Sequence, residues 1–449
     1  MPLQFIIGGS GTGKSHTAYE KIIREAECRP DVLYYIVVPE QFTMQTQKTV
    51  VEMSSRGGIL NIDVVSITRL AYRVFEETGG DMLKMLDDTG KSMVLLKLVL
   101  DREKDYPFLG SQIRKPGYLD EVKSLISEFM QYDISPEEAV SMAGRAEERA
   151  LLSMKLTDIG RLYRRFCDYL EDRYMTGEGV LEELVKAIPL SKKLRGSVIL
   201  LDGFTGFTPV QMNVLRELLH VCRDMMVTVT MDAEEGTAAG KSAWSLFSMS
   251  RKMVSRLSDL ASEISEPVLL HHSSRSRFSE SPALAFLEKN LFRYNGRSFD
   301  GPPGSIRVFS AESPGTEMEE TARQICRMVR TEGLRYGDIA VISGNLEEYS
   351  PAARQAFERA GIPFFIDETH GIMQNPFVEY LRAAMELVDK SFSFESVFRY
   401  LRSGLSEITP EETDLLENYV RAVGIRSFRG GMKNGCGSIG AWTRPESRC

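Results

Sequence analysis

Apolar runs of strand length alternate with segments of helical spacing along the first eighty residues. Leu3-Gln4-Phe5-Ile6-Ile7 is a short apolar run, and His16-Thr17-Ala18-Tyr19-Glu20-Lys21-Ile22-Ile23 repeats its apolar positions at helical intervals. Residues 31–38 read as a buried strand closed by Pro39, and residues 40–45 as a polar loop entering a helix. Ile62-Asp63-Val64-Val65-Ser66 is a third strand, leading into a helix over 68–75. Strands that alternate with helices predict a parallel sheet covered on both faces. From about residue 88 to 190 the period is helical throughout. Leu119, Val122, Leu125, Ile126, Phe129 and Met130 share one face, as do Leu156, Ile159, Leu162, Tyr163, Phe166 and Leu170. The sheet resumes with Ser197-Val198-Ile199-Leu200-Leu201-Asp202 and Met225-Met226-Val227-Thr228-Val229-Thr230.

A polar stretch that includes residues 273–276 and 301–304 separates a second α/β unit. There the pattern predicts strands at 306–310, 338–342 and 362–366 and a helix over 319–329. Residues 429–449 hold five of the 36 glycines, two of the six cysteines and one of the two tryptophans, without periodicity. They are not expected to form a folded element.

Composition narrows the class without choosing within it. Hydrophobic residues at 43% and charged residues at 26% fit a soluble globular protein long enough for two or three domains. A net charge of −8 gives no global cationic signal, so any nucleic-acid contact must use a local groove. Cys28, Cys167, Cys222, Cys326, Cys436 and Cys449 form no CxxC pair, which argues against a zinc site or a disulfide framework and for a reducing compartment. No stretch approaches eighteen apolar residues and the N-terminus lacks a basic leader pattern; a cytoplasmic location is expected. His16, His220, His271, His272 and His370 form no metal constellation, and Arg251, Lys252 and Arg256 give a basic helix face that reads as a solvated surface or, alternatively, as a track for a DNA backbone.

The chemistry concentrates between the first strand and the first helix. Gly8-Gly9-Ser10-Gly11-Thr12-Gly13-Lys14-Ser15 fits the phosphate-binding P-loop pattern in the strand–loop–helix context that it needs. Glycines let several backbone N–H groups converge on phosphate oxygens, and the helix N-terminus adds partial positive charge. Lys14 is expected to neutralise β/γ-phosphates and Ser15 to ligate Mg²⁺. Asp202, after four apolar residues, is the candidate second Mg²⁺ ligand, on a strand expected to lie beside the P-loop strand. A hydrolysing motor follows this aspartate with a glutamate that activates water. Here Gly203, which has no side chain, follows. A site that binds nucleotide and turns it over poorly is predicted.

Several stretches carry a family resemblance: residues 5–15, residues 37–47, residues 64–80, residues 200–211, residues 336–345 and residues 360–367. In order and spacing they resemble the N-terminal, helicase-like part of AddB, the B subunit of bacterial ATP-dependent helicase/deoxyribonucleases (AddAB, also RexAB). The resemblance runs from residue 3 to about 428. It implies a P-loop NTPase of superfamily 1 helicase-like architecture, with two RecA-like domains. Domain 1A would comprise residues 1–87 and 191–300, the helical insertion 1B residues 88–190, domain 2A residues 301–380, and the start of 2B residues 381–428. ATP and Mg²⁺ are the implied cofactors. An AddA-type motor/nuclease subunit, single-stranded DNA and duplex ends are the implied partners, in double-strand-break repair by homologous recombination.

The family's B subunit is understood as an inactive motor that scans single strands for the Chi sequence. By resemblance the reading residues are Gln41 and Thr43 after the second strand and Ile67, Arg69 and Tyr72 after the third, with Phe207 offering a further ring. An amide and a guanidinium can read base edges, and an aromatic ring can stack on a base. From the residues alone, Arg69 also reads as a surface salt-bridge partner and Tyr72 as a core aromatic. Active relatives of the group carry Asp-Glu-Phe-Gln-Asp-Thr-x-Pro-x-Gln where this chain has Asp202-Gly203-Phe204-Thr205-Gly206-Phe207-Thr208-Pro209-Val210-Gln211. Ser343-Gly344-Asn345 likewise stands where an active motor carries an arginine for the γ-phosphate. The family's nuclease domain and its four-cysteine iron–sulfur cluster are absent from this sequence, and a truncated or frame-shifted chain is expected, with residues 429–449 out of frame. The alternative reading is an independently active P-loop ATPase or phosphotransferase.

Overall fold

The computed structural model describes residues 2–425 except 56, 59, 80–83, 116, 146–148, 172, 234–244, 273–276, 294, 303, 369 and 370. The polar stretch 273–276, His370, Cys436, Cys449 and the aperiodic segment 429–449 therefore lie outside the described residues. The chain divides into two compact units, Met1–Arg307 and Val308–Cys449.

The first unit is organised by a parallel sheet. Its strands are β1 (Pro2–Gly8), β2 (Tyr34–Val37), β3 (Ile62–Val65), β6 (Val198–Leu201), β7 (Asp224–Thr230), β8 (Glu263–Ile264) and β9 (Val268–Leu270). A separate two-stranded ladder pairs β4 (Lys84–Met85) with β5 (Tyr174–Met175). The main sheet runs β3-β2-β6-β7-β1-β8, with β9 also on β1, and every pairing is parallel. β2 (Tyr-Tyr-Ile-Val) and β6 (Val-Ile-Leu-Leu) are buried at every position, as strands with helices on both faces must be.

The period of two divides each strand between two cores. Phe5, Ile7, Tyr35, Val37, Ile199 and Leu201 face one layer, and Ile6, Tyr34, Ile36, Val198 and Leu200 face the other. The first layer is built by α3 (Ile67–Thr78), α9 (Gly177–Ala187), α10 (Pro209–Val221) and α11 (Ser248–Leu260). The second is built by α1 (Lys14–Cys28) and α2 (Thr43–Met53).

Between α3 and β6 the chain leaves the sheet for α4 (Asp88–Leu100), α5 (Leu109–Gln112), α6 (Tyr118–Gln131), α7 (Pro136–Arg145) and α8 (Ala150–Leu170). These helices have a core of their own, in which Leu95, Val122, Ile126, Ile159, Leu162 and Phe166 are buried. The β4/β5 ladder clamps the outgoing and returning chain at its neck. The last helix of the predicted helical stretch, α9, packs with the sheet instead: Val180 and Leu184 join the core of α3 and α10. α12 (Pro282–Asn290) completes this unit.

Two expectations are corrected here. Asp202 does not follow a strand adjacent to β1, which carries the glycine loop, because β7 is hydrogen-bonded between β6 and β1. The periodicity of an apolar run identifies a strand and carries no information about its neighbour. The second correction concerns the second unit. The runs at 306–310, 338–342 and 362–366 form no ladder, and no strand occurs among its described residues. Val308 and Ile342 are each 94% exposed and Phe365 88%. β-propensity expresses fit to a neighbouring strand, and these runs have none among the described residues. One side of them still packs: Ile339, Ile362 and Phe364 lie against α13 (Pro314–Thr331) and α14 (Leu346–Arg359), with Met318, Ile325 and Phe357 at the centre. Three further helices follow, α15 (Pro376–Asp389), α16 (Phe394–Leu401) and α17 (Pro410–Val423). Arg399 pairs with Glu379 and Glu386, and Tyr380 stacks on Tyr400 with 4.7 Å between ring centroids.

Candidate nucleotide site and nucleic-acid loops

All the strands end on the same edge of a parallel sheet, so the loops that leave their carboxyl ends converge. β1 delivers residues 8–13 to that edge and α1 starts at Lys14. Gly13, the residue before the helix, has φ +90°, a left-handed conformation that side-chain-bearing residues rarely adopt, and no side chain caps the helix start. The first turn of α1 therefore keeps its N–H groups available to an anion. Thr12 Oγ1 and Lys14 Nζ both donate to the Gly9 carbonyl, at 3.0 and 2.8 Å. Burial pushes the Lys14 ammonium below the ordinary lysine range, against the opposing pull of the Asp202 and Glu288 carboxylates.

Asp202 is 6% exposed and fully engaged. Its Oδ1 accepts from Ser15 Oγ at 3.0 Å and from Thr228 Oγ1 at 2.5 Å, while Oδ2 accepts from Tyr19 OH at 2.5 Å. Burial first, then the Asp202 charge, raises the Tyr19 phenol above its ordinary range, so it stays a donor at neutral pH. The intervening strand β7 thus contributes directly: Thr228 links the P-loop strand's neighbour to the aspartate. Sequence reasoning missed both Thr228 and Tyr19. A hydroxyl inside an otherwise apolar strand was the only signal for the first, and Tyr19 read as an apolar helix position.

A hydroxyl and a carboxylate, 3.0 Å apart and beside a phosphate loop, are the hard oxygen donors that Mg²⁺ takes, with water and phosphate filling its remaining positions. Ser15 can offer a lone pair to a cation while its O–H still donates to Asp202. The donor set fits the ion.

Gly203 has φ +80°. A β-carbon there would lie 3.5 Å from Pro39 Cδ and 3.9 Å from Phe42 Cδ2, so the residue after Asp202 abuts the loop after β2. That loop is a short turn over Glu40–Phe42. Gln41 is exposed at its centre, and Phe42 beside it is 43% exposed. Glu40 joins the next loop: its Oε2 accepts from Ser66 Oγ at 2.8 Å, and its Oε1 lies 3.5 Å from Arg69 Nε. Gln41, Phe42 and Arg69 therefore belong to one surface, held by a carboxylate that the sequence did not single out.

The other proposed reading residues are less open. Thr43 is buried and its hydroxyl donates to the Glu40 carbonyl at 2.9 Å. Ile67 is 8% exposed within the sheet core. Tyr72 and Phe207 are half-buried against the same core, and Phe207 lies 4.9 Å from the Phe204 ring. In the second unit Asn345 accepts from the Glu348 N–H and caps α14, so the residue standing near the missing arginine has a structural task.

One further side chain reaches the glycine loop. Glu288, from α12, accepts from the Ser10 N–H at 3.1 Å and lies 2.9 Å from His272 Nε2. Nothing local in the sequence marked it.

Residues 5–288 match the family model described as ADDB, N-terminal. The chain belongs to the AddB family. It is 42% identical over 433 residues to the B subunit of the ATP-dependent helicase/deoxyribonuclease of Lachnoclostridium phytofermentans, covering 95% of this chain and 38% of the relative. The corresponding B subunits of Alkaliphilus oremlandii and Clostridium novyi are 33% and 31% identical over 429 and 433 residues, each covering 95% of this chain. They are covered over 37% and 38% of their own lengths. The chain thus spans less than two-fifths of these AddB relatives. Membership agrees with the resemblance read from the motifs. No helix among the described residues is long and apolar enough to cross a membrane.

Proposed function

We propose that this chain serves as the nucleotide-binding, single-strand-reading part of the B subunit of a helicase/deoxyribonuclease, and that its own motor site is degenerate. The observation that carries this reading is Asp202, bonded to Ser15 of the glycine loop and followed by Gly203 in a left-handed conformation. The loop, Lys14, Ser15 and Asp202 supply what ATP·Mg²⁺ needs for binding. The residue that would activate water has no side chain and its backbone disfavours one. An open parallel α/β sheet whose strand β1 leads into the glycine loop is in keeping with a RecA-like domain of superfamily 1 helicases, with α4–α8 as its inserted helical domain.

Single-stranded DNA would cross the carboxyl ends of β2, β3 and β6. Gln41 and Arg69 supply amide and guanidinium donors, and Phe42, Tyr72 and Phe207 supply rings for stacking. Thr43 and Ile67 would shape that surface from below. The relatives are named as the B subunits of helicase/deoxyribonucleases, which supports a role beside an AddA-type partner in processing DNA ends for recombination, in a soluble compartment of the cell.

ATP binding and turnover by the purified chain, with and without single-stranded DNA and beside Lys14→Ala, test the reading. Binding that Lys14→Ala abolishes, without DNA-stimulated turnover, is expected. Robust turnover that the same substitution removes would overturn the degenerate site and favour an independent ATPase.

A further inference from the structure

The glycine loop already holds an anion that comes from the chain itself. Glu288 Oε1 accepts the Ser10 N–H at 3.1 Å, and a β-carbon on Gly9 would fall 2.9 Å from that same oxygen. The Glu288 side chain is 14% exposed, and its other oxygen lies 2.9 Å from His272 Nε2. Two neighbours seat the same segment on the loop. The Arg277 N–H donates to the Gly11 carbonyl at 3.3 Å, and the Phe278 ring lies 3.1 Å from a β-carbon built on Gly11. Glu288 and Asp202 are the two carboxylates that act on Lys14.

Backbone N–H groups at a glycine loop and helix start form a seat for negative charge, whichever molecule supplies it. A carboxylate and a phosphate group cannot both occupy hydrogen-bonding range of the same N–H groups, since like charges a few ångströms apart repel and one N–H serves one strong acceptor. We propose that Glu288 is a resident competitor for the phosphate seat, which nucleotide must expel, so that nucleotide occupancy is coupled to the position of α12. The inference rests on the nucleotide-binding reading above and adds a consequence to it. Coupling of this kind is reciprocal: whatever draws α12 from the loop raises nucleotide affinity by the same factor that nucleotide favours the displaced helix. His272 stays with the departing carboxylate or loses its partner, so α12 is the element that reports the state of the site.

The experiment titrates a fluorescent ATP analogue with Mg²⁺ into the full chain, into Glu288→Gln and into Lys14→Ala, and follows amide hydrogen exchange of 282–290 in the wild type and in Lys14→Ala. Glu288→Gln keeps the size and one acceptor oxygen, removes the charge and replaces the other oxygen by an NH₂ donor, so it weakens the competitor without emptying the space. It is expected to tighten binding about ten-fold, the scale of one charge-assisted hydrogen bond. Nucleotide is expected to speed exchange in 282–290 of the wild type and to leave Lys14→Ala unchanged. Lys14-dependent binding that Glu288→Gln leaves unaltered, with exchange in α12 unmoved, would overturn the inference and leave the nucleotide reading intact. Absence of binding by both wild type and Glu288→Gln would overturn the nucleotide reading, and this inference with it.

Discussion

Asp202 shows how one buried carboxylate can be held in a fixed orientation. Three hydroxyls, from Ser15, Tyr19 and Thr228, converge on its two oxygens from α1 and β7. Unpaired, such a group would be costly to bury; three hydroxyl donors satisfy it and fix the direction of its oxygens. Gly203 beside it sets the opposite limit. Restoring a glutamate there is the obvious attempt to revive a motor, and the backbone opposes it. A non-glycine residue held at φ +80° costs about 1–3 kcal/mol, so Gly203→Glu is expected to lower stability by that order and to leave ATP turnover at the wild-type level. Urea unfolding and a steady-state phosphate-release assay check the two parts; gained turnover would show that the loop adapts. At this scale the glycine loop, Lys14, Ser15, Asp202 and the gap at Gly203 were all legible in the sequence, because each lies within a local motif. Tyr19, Thr228 and Glu288 were not, because their partners are distant in the chain.

Elements here are joined by single polar residues at their ends. Lys91 of α4, 7% exposed on its side chain, pairs with Glu178 of α9 at 2.9 Å, linking the helical core to the helix that returns to the sheet. Glu77 at the end of α3 holds the loop before β6: it accepts from Ser191 Oγ at 2.5 Å and from the Lys192 and Lys193 N–H groups at 2.7 and 2.9 Å. Burial alone would raise the Glu77 carboxyl, but the Ser191 hydroxyl and the two N–H groups outweigh it and hold it below the ordinary range. A carboxyl depressed in the folded state stabilises above its unfolded pKa, and that contribution disappears as pH falls through the folded value. Glu77→Gln is therefore expected to be less stable than wild type at neutral pH. The difference should shrink as pH drops below the ordinary glutamate range. Thermal melts of both proteins across that interval check it; a gap independent of pH would assign the effect to geometry rather than charge. The same dependence on partners explains the second unit, where runs at 338–342 and 362–366 have strand composition and no ladder. Propensity proposes an element, and pairing makes it.

For the whole molecule, the decisive fact is that every residue assigned to nucleotide lies in one compact unit. Lys14, Ser15, Asp202, Thr228 and Glu288 all fall within residues 1–307. A chain ending at residue 307 is expected to bind ATP with the affinity of the full chain, within about two-fold, since additive behaviour holds for groups without shared partners. Isothermal titration of both checks this; loss of binding would assign part of the site to the second unit. The sequence by itself determined the five longer strands of the main sheet, the helical run between them, the glycine loop and the lack of a side chain after Asp202, because hydrophobic period and short motifs act over a few residues; the short strands β4, β5, β8 and β9 left no such pattern. Only the tertiary structure decided that β7 lies between the P-loop strand and the Asp202 strand, that Ile67 is packed inward while Gln41 and Arg69 share an outer surface, and that Glu288 reaches a loop 278 residues before it in the chain. Those are matters of which segments meet, and meeting is fixed by the packing of the whole chain, which no local pattern encodes.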